Sequence, residues 1–356
     1  MIRVLVVDDS LTVRSRLVEL LRADPGIEVV GEAADGRRAV ELCAKLKPDV
    51  VTLDIVMPDM TGLHATEHIM AHNPTPILIV SSSFNRGELF DTYAALQAGA
   101  VDVLEKPRPE DVGWEAQFVG AVRMVARIKV ITHPRGRLST RQRTVTMPPQ
   151  HELTGAAATE PRELAAIALG ASTGGPGALS SVLSAIAPRF TLPILVILHI
   201  DAPFATAFAE WLAQQCGHRV RLAIDGDRLV DAAGAVLVAP AERHMIVHHG
   251  RIRLVDTPPR NHCRPSIDVL FESLAAELGG SVAAALLTGM GRDGARGLLA
   301  IRAAGGITFA QDEATSTIYG MPREAVALAA VDRAHPLGEI AQTIDHLAHP
   351  PPRAKP

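Results

Sequence analysis

A chain of 356 residues with a net charge of −4 is long enough for two domains and has no cationic surplus with which to hold nucleic acid or an anionic membrane. Its 47% hydrophobic and 21% charged residues exclude general disorder, and 3% aromatic residues argue against base-stacking platforms for single strands. Three widely spaced cysteines, Cys43, Cys216 and Cys263, form no C-x-x-C pair for zinc or redox chemistry, which fits a reducing cytoplasm.

The first apolar run, residues 4–7, stops at Asp8 and Asp9, a pair of acids that no secretory signal tolerates. It reads as a buried strand. Further strand-like runs at 50–53, 77–80 and 101–104 alternate with helix-periodic stretches, one marked by Leu11, Leu17, Leu20 and Leu21 and one over 37–45. This alternation predicts a parallel α/β domain. Residues 133–150 hold Pro134, Pro148, Pro149 and four arginines with no acid, a composition that predicts a solvated tether; contact with an acidic partner is the alternative. A second α/β pattern follows, with strand candidates at 166–169, 194–198, 235–238 and 283–287. The longest later apolar run, 192–200, is far below the roughly 18 residues of a membrane span. No repeat with a period of 20 to 50 residues is visible.

Two sets of residues carry chemistry. In the first half, Asp8, Asp9 and Asp54 close two strands, and an open parallel sheet binds ligands beyond its carboxyl ends, so a magnesium site is expected there. Ser81 and Lys106 close the next two strands and add a hydroxyl and a cation, a set suited to phosphoryl transfer onto a carboxylate. Each residue alone reads more readily as a cap or turn; the ordered set is what is specific. In the second half, Ser172 follows a strand and precedes a Gly-rich turn with Pro176 at a helix start, where backbone N–H groups can stabilise an oxyanion. A phosphate-cradling loop is the rival reading, but neither G-x-x-x-x-G-K-[ST] nor G-x-G-x-x-G is present. His199 closes the strand candidate 194–198, and Asp293 lies in the Gly-rich segment after 283–287, so a serine, a base and an orienting carboxylate meet at three strand ends. The histidines show no zinc spacing such as H-E-x-x-H. Gly170 to Gly174 matches G-x-S-x-G, yet the order Ser, His, Asp differs from that of α/β-hydrolases and argues against that fold.

Asp8-Asp9, the run from Asp54 to Gly62, and Lys106-Pro107 resemble the receiver domain of two-component response regulators. The second half is similar to the catalytic domain of the chemotaxis protein-glutamate methylesterases, the CheB family, in the three blocks above, in Ala239-Pro240 with His244, in the run from Arg264 to Phe271, and in Gln311-Asp312-Glu313 through Gly320-Met321-Pro322. The resemblance implies a flavodoxin-like receiver with a five-stranded parallel sheet over 1–125 and a doubly wound, mostly parallel α/β catalytic domain over 163–348, while composition gives a flexible basic linker over 126–162 and a disordered tail over 349–356. It implies Asp54 as phosphoacceptor, Mg2+ held by Asp8, Asp9, Asp54 and the Val56 carbonyl, and Ser81 and Lys106 as signalling residues. The peptide bond before Pro107 is expected to be cis. Val103 stands where many receivers carry an aromatic switch residue. In the second domain it implies a Ser172, His199, Asp293 triad, with Thr173 and the Met290 amide at the oxyanion or substrate site. After the histidine, Ile200-Asp201-Ala202-Pro203 replaces the family's common Met-Pro.

The activity implied is a phosphorylation-controlled hydrolysis of γ-glutamyl methyl esters on chemoreceptors, with deamidation of glutamines, no cofactor for the ester chemistry, and a chemotaxis histidine kinase as phosphodonor. In the family the unphosphorylated receiver packs over the catalytic cleft. No nucleic acid and no membrane insertion are expected. The alternative is a phosphorylation-controlled receptor-binding module without esterase turnover; a DNA-binding regulator is disfavoured because no basic helix-turn-helix pattern follows the first domain.

Overall fold

The computed structural model describes residues 1–82, 85–107, 111, 113–128, 130, 164–187, 190–331 and 334–348. The expected linker lies almost entirely outside these residues, and the expected tail wholly so.

The N-terminal unit alternates β1 (Ile2–Val7), α1 (Leu11–Arg22), β2 (Ile27–Ala33), α2 (Gly36–Leu46), β3 (Val50–Leu53), α3 (Gly62–His72), β4 (Ile77–Ser81), α4 (Arg86–Gln97), β5 (Asp102–Glu105) and α5 (Trp114–Val125). Its sheet runs in the order β2-β1-β3-β4-β5, with every pair parallel. Because helices cover both faces, the central strands are buried throughout and read as continuous apolar runs. β2 escaped the sequence reading because its burial is mixed, with Glu28 and Glu32 exposed along it. Short side chains start the helices: Ser10, Asp35, Thr61 and Asn85 each accept a backbone N–H of the first turn, a contact worth about 1 kcal/mol per helix.

The C-terminal unit contains β6 (Ala166–Ala171), α6 (Gly175–Ala185), β7 (Ile194–Leu198), α7 (Ala202–Cys216), β8 (Arg219–Leu222), β9 (Ala235–Val238), β10 (His244–His248), β11 (Arg251–Val255), α8 (Ile267–Leu278), β12 (Val282–Leu286), α9 (Ala295–Ala303), β13 (Ile307–Gln311), α10 (Met321–Ala327), β14 (Ala334–His335) and α11 (Leu337–Ala348). Seven strands form a parallel sheet in the order β14-β13-β12-β6-β7-β9-β8, while β10 and β11 form a separate antiparallel hairpin. The chain winds from β6 outward through β7 to β8 and β9, then returns to the other side at β12. The order therefore reverses beside β6, which opens a crevice at the carboxyl ends of β6, β7 and β12.

The two units share one apolar core. Tyr93 and Leu96 of α4 pack with Leu179 of α6 and with Phe204, Phe208 and Trp211 of α7. The Tyr93 ring lies 5.4 Å from that of Phe208 and 5.3 Å from that of Trp211, and its hydroxyl donates to the Phe204 carbonyl at 2.6 Å. Gln97 Nε2 reaches Ser180 Oγ at 3.0 Å, and Arg86 pairs with Glu210 at 2.8 Å. A buried phenol that is hydrogen-bonded across a contact fixes its register as well as adding apolar area. Among the described residues the cis peptide bond is Arg264–Pro265, not Lys106–Pro107 as expected from the sequence.

Candidate functional site

The acidic set forms at the switch point of the first sheet. β1 and β3 lie side by side with Val7 opposite Leu53, so Asp8 and Asp54 leave the sheet together. One carboxylate oxygen from each of Asp8, Asp9 and Asp54 lies within 4.8 Å of the others. Lys106 Nζ stands 2.8 Å from Asp54 Oδ2 and 2.9 Å from Asp8 Oδ2. Burial pushes the Asp54 carboxyl up to about 6, with Asp8 adding to the rise and Lys106 and the Ile55 N–H opposing it. Burial also disfavours charge on Lys106, but the two carboxylates outweigh it and raise its pKa. Asp8 Oδ2 is buried and has the Lys106 ammonium as its neighbour. A cluster of three carboxylates that offers only oxygen ligands fits a hard divalent cation such as Mg2+. Val56 follows in the turn after β3, and since a valine side chain has no ligating atom, only its backbone carbonyl is available to such a site. Ser81 does not join the acids here: its hydroxyl donates to Glu88 Oε1 at 2.8 Å, with the Ser82 carbonyl 3.2 Å away.

The second set forms at the crevice of the seven-stranded sheet. β6 pairs with β7 so that Ala171 faces Leu198, and the His199 N–H donates to the Ala171 carbonyl at 3.0 Å, which sets Ser172 and His199 at adjacent strand ends. The Ser172 N–H donates to the Thr288 carbonyl at 3.0 Å, which ties the serine to the loop after β12. Gly289 behind it has to be glycine, since a Cβ there would lie 2.6 Å from the Ser172 Cβ. Gly174, at φ +77°, turns the chain into α6, as the Gly-rich segment predicts.

His199 Nε2 is 3.0 Å from Asp293 Oδ2. That carboxylate is gripped from several sides: Ser266 Oγ and Asn261 Nδ2 donate to Oδ1 at 2.7 and 2.9 Å, and the Ile267 N–H at the start of α8 donates to Oδ2 at 2.6 Å. Burial alone would raise Asp293, but its hydrogen bonds with His199, Asn261 and Ser266 bring its pKa below the usual carboxylate value. Asn261 also donates to the buried Asp268 at 2.9 Å, and Asp268 Oδ1 accepts the Gly297 N–H at 2.7 Å. Burial opposes charge on His199 as well, yet its hydrogen bond to Asp293 and its contact with Cys263 outweigh this and hold its pKa up at about 9.

The other face of the imidazole departs from the expected triad. Nδ1 lies 3.7 Å from Cys263 Sγ, and among the described residues Ser172 Oγ makes no hydrogen bond to His199. His199 and Asp293 are therefore joined, while the contact that a triad needs between His199 and Ser172 is open. Thr173 is also engaged elsewhere: its hydroxyl donates at 2.9 Å to Oδ2 of Asp102, on β5 of the first unit. The cleft above Ser172, about 310 Å3, is closed on one side by Thr173, His199 and Cys263 and on the other by Leu96, Asp102, Val103 and Gln117 of the first unit. Burial pushes the Asp102 carboxyl up to about 6, against the hydrogen bonds from Thr173 and the Val103 N–H, with Asp201 adding to the rise. The Met290 N–H, next to Gly289, has no backbone partner among the described residues, and its side chain is 58% exposed. The sequence reading missed Asn261, Cys263 and Asp102. Asn261 and Cys263 stand directly before the quoted Arg264 run, but nothing in a sequence says that they turn toward His199 and Asp293.

Comparison with known proteins matches one stretch in each half of the chain to a family. The response regulator receiver domain family matches residues 4–115, and the CheB methylesterase family matches residues 167–344. The chain is 44% identical to the protein-glutamate methylesterase/protein-glutamine glutaminase 4 of Geobacter metallireducens, over 98% of this chain and 99% of the relative. It is 43% identical to methylesterase/glutaminase 2 of Anaeromyxobacter dehalogenans, with 97% of each chain covered, and 44% identical to that of Pseudomonas aeruginosa, with 96% of each covered. No helix among the described residues is long and apolar enough to cross a membrane.

Proposed function

The chain belongs to the CheB family of receiver-linked protein-glutamate methylesterases, and from that premise we propose that it hydrolyses γ-glutamyl methyl esters, and deamidates glutamines, on the helices of chemoreceptors in the cytoplasm under control of Asp54 phosphorylation. Ser172 Oγ attacks the ester carbonyl while His199 takes its proton, and the same imidazole protonates the departing methanol. Water then adds to the acyl-enzyme with His199 as base, which releases the glutamate and restores Ser172. Asp293 keeps the ring oriented and stabilises its protonated form. The Met290 amide and Thr173 serve the developing oxyanion or the substrate. The observation that carries this reading is the His199 to Asp293 bond at 3.0 Å, set on a carboxylate fixed by Ser266, Asn261 and the start of α8 beside the Ser172 strand end.

The receiver is the control element, with domain limits at 1–125 and 163–348 and a tether over 126–162. Asp54 accepts a phosphoryl group from a chemotaxis histidine kinase. Asp8, Asp9 and Asp54 with the Val56 carbonyl would hold Mg2+, which offsets charge on the phosphoryl oxygens. Lys106 and Ser81 take up those oxygens afterwards. The docked receiver supports an inhibited ground state: Asp102 holds Thr173 beside the nucleophile, and α4 lies on α6 and α7. Redirecting Lys106 at the end of β5 toward a phosphoryl group perturbs the strand that carries Asp102. The test is methanol release from methylated receptor membranes by the wild type and by Ser172→Ala, with Mg2+ and with or without acetyl phosphate. Release by the wild type alone, raised by the phosphodonor, is the expected result. Receptor binding by a folded wild type without any methanol would instead favour a binding module.

A further inference from the structure

The β10–β11 hairpin carries a group of metal-ligating side chains that the chemistry above leaves unused. His248 ends β10, and His249 and Gly250 form its two-residue turn at φ 50° and 68°. In a regular strand, neighbouring side chains point to opposite faces. The left-handed backbone at His249 removes that alternation, and the two imidazole rings come together with centroids 3.9 Å apart. Glu277, in the last turn of α8, meets them: its Oε1 accepts the Gly250 N–H at 2.9 Å. That backbone hydrogen bond fixes the position of the Glu277 carboxylate beside the two rings. One ligand atom from each of His248, His249 and Glu277 lies within 4.8 Å of the others. Both histidines are exposed and Glu277 is half-buried, so a side open to water remains. The neighbouring cation, Arg251, is engaged by the Gly226 carbonyl at 2.9 Å.

We propose that His248, His249 and Glu277 bind a divalent cation of borderline softness, Zn2+ or Cu2+, with water completing the coordination. Two imidazole nitrogens and one carboxylate suit such ions, whereas Mg2+ prefers oxygen ligands. The short turn and the fixed carboxylate give the site its preorganisation, and little more than rotation of two exposed rings closes it. A bound ion joins the tip of the hairpin to α8. The site is separate from the ester chemistry and stands or falls independently of it.

The test is calorimetric titration of the full-length protein with ZnCl2 in saturating Mg2+, which occupies the acidic set around Asp54. Variants are His248→Ala, His249→Ala and Glu277→Gln, with Cys263→Ala as the control for the other group of ligand atoms, His199, Cys263 and Asp293. The wild type is expected to bind one ion at this site. Each of the three substitutions should weaken it by at least about tenfold, since even the outer partners of a metal ligand cost that much, and Cys263→Ala should leave it intact. Zn2+ should also raise the melting temperature of the wild type and not that of His249→Ala, whose metal-free melting temperature reports whether it folds. Unchanged affinity in both histidine variants, loss in Cys263→Ala alone, or no saturable binding by the wild type would each overturn the proposal.

Discussion

Asp54 and Asp293 are both buried carboxylates at the edge of a parallel sheet, 3% and 2% exposed, and they are driven in opposite directions. Asp54 is pushed up to about 6, whereas Asp293 is held below its ordinary value. The difference lies in donors. Asp293 accepts hydrogen bonds from Ser266, Asn261, the Ile267 N–H and His199, so its charge is solvated by fixed protein dipoles. Asp54 has Lys106 and the Ile55 N–H and faces the charge of Asp8. In the proposed mechanism Asp293 stays anionic and holds an imidazole still, which suits a carboxylate surrounded by donors. Asp54 is proposed to react, which suits one left short of donors whose surroundings a cation or phosphoryl group would complete.

The largest expected effect comes from removing the proposed nucleophile. Ser172→Ala should reduce methanol release from methylated receptor membranes by about 10^3-fold or more, because serine and base act as one unit. Asp293→Asn should cost about 10^2- to 10^4-fold while the protein stays folded, and it should lower the His199 pKa from about 9, moving the rise of the rate–pH profile toward acid. An Asp293→Asn protein as active as the wild type would remove the distinction drawn between the two carboxylates. On the other side, Asp54→Asn should leave basal release unchanged and abolish stimulation by acetyl phosphate, which in the wild type should amount to about 5- to 150-fold for an interface shifted by 1 to 3 kcal/mol. Chelating Mg2+ should remove the stimulation from the wild type in the same assay. A smaller effect belongs to the contact between the two sites: Asp102→Ala removes one hydrogen bond and should raise basal release by about 2- to 12-fold.

Asp102 also sharpens the comparison through pH. In the docked state its carboxyl sits at about 6, above the usual 3.8. A carboxyl raised by docking favours the docked state when protonated, so docking is strongest below about 3.8 and weakens as pH rises through 6. Small-angle scattering of the wild type between pH 7.5 and 5 should show contraction on acidification, and Asp102→Asn should show none.

The sequence was most legible where burial makes strands uniformly apolar. The candidates at 50–53, 194–198 and 235–238 coincide with β3, β7 and β9, and that at 77–80 falls within β4. The strands it missed have mixed faces or lie at sheet edges: β8 carries exposed Arg219, β11 carries Arg251 and Arg253, and β14 has two residues. The positions of Ser172, His199 and Asp293 were legible because each closes or follows a strand in a glycine-rich or apolar context, and the fold brings those strand ends together. The supporting residues were hidden for a physical reason. Asn261 reaches Asp293 through a left-handed backbone at φ 52°, and Asp102 reaches Thr173 across 71 residues of chain and between two units. Such contacts come from tertiary packing and leave no periodic mark.

The claim that joins the two halves is that the docked receiver restrains Ser172 and that phosphorylation of Asp54 frees it. The direct measurement is the rate at which a serine-directed fluorophosphonate labels Ser172, read by mass spectrometry on the intact full-length protein in Mg2+. Acetyl phosphate should accelerate labelling in the wild type and have no effect in Asp54→Asn, while Asp102→Ala should label faster than the wild type without any phosphodonor. Equal labelling rates for the wild type with and without acetyl phosphate, with Asp54 phosphorylation verified, would contradict it.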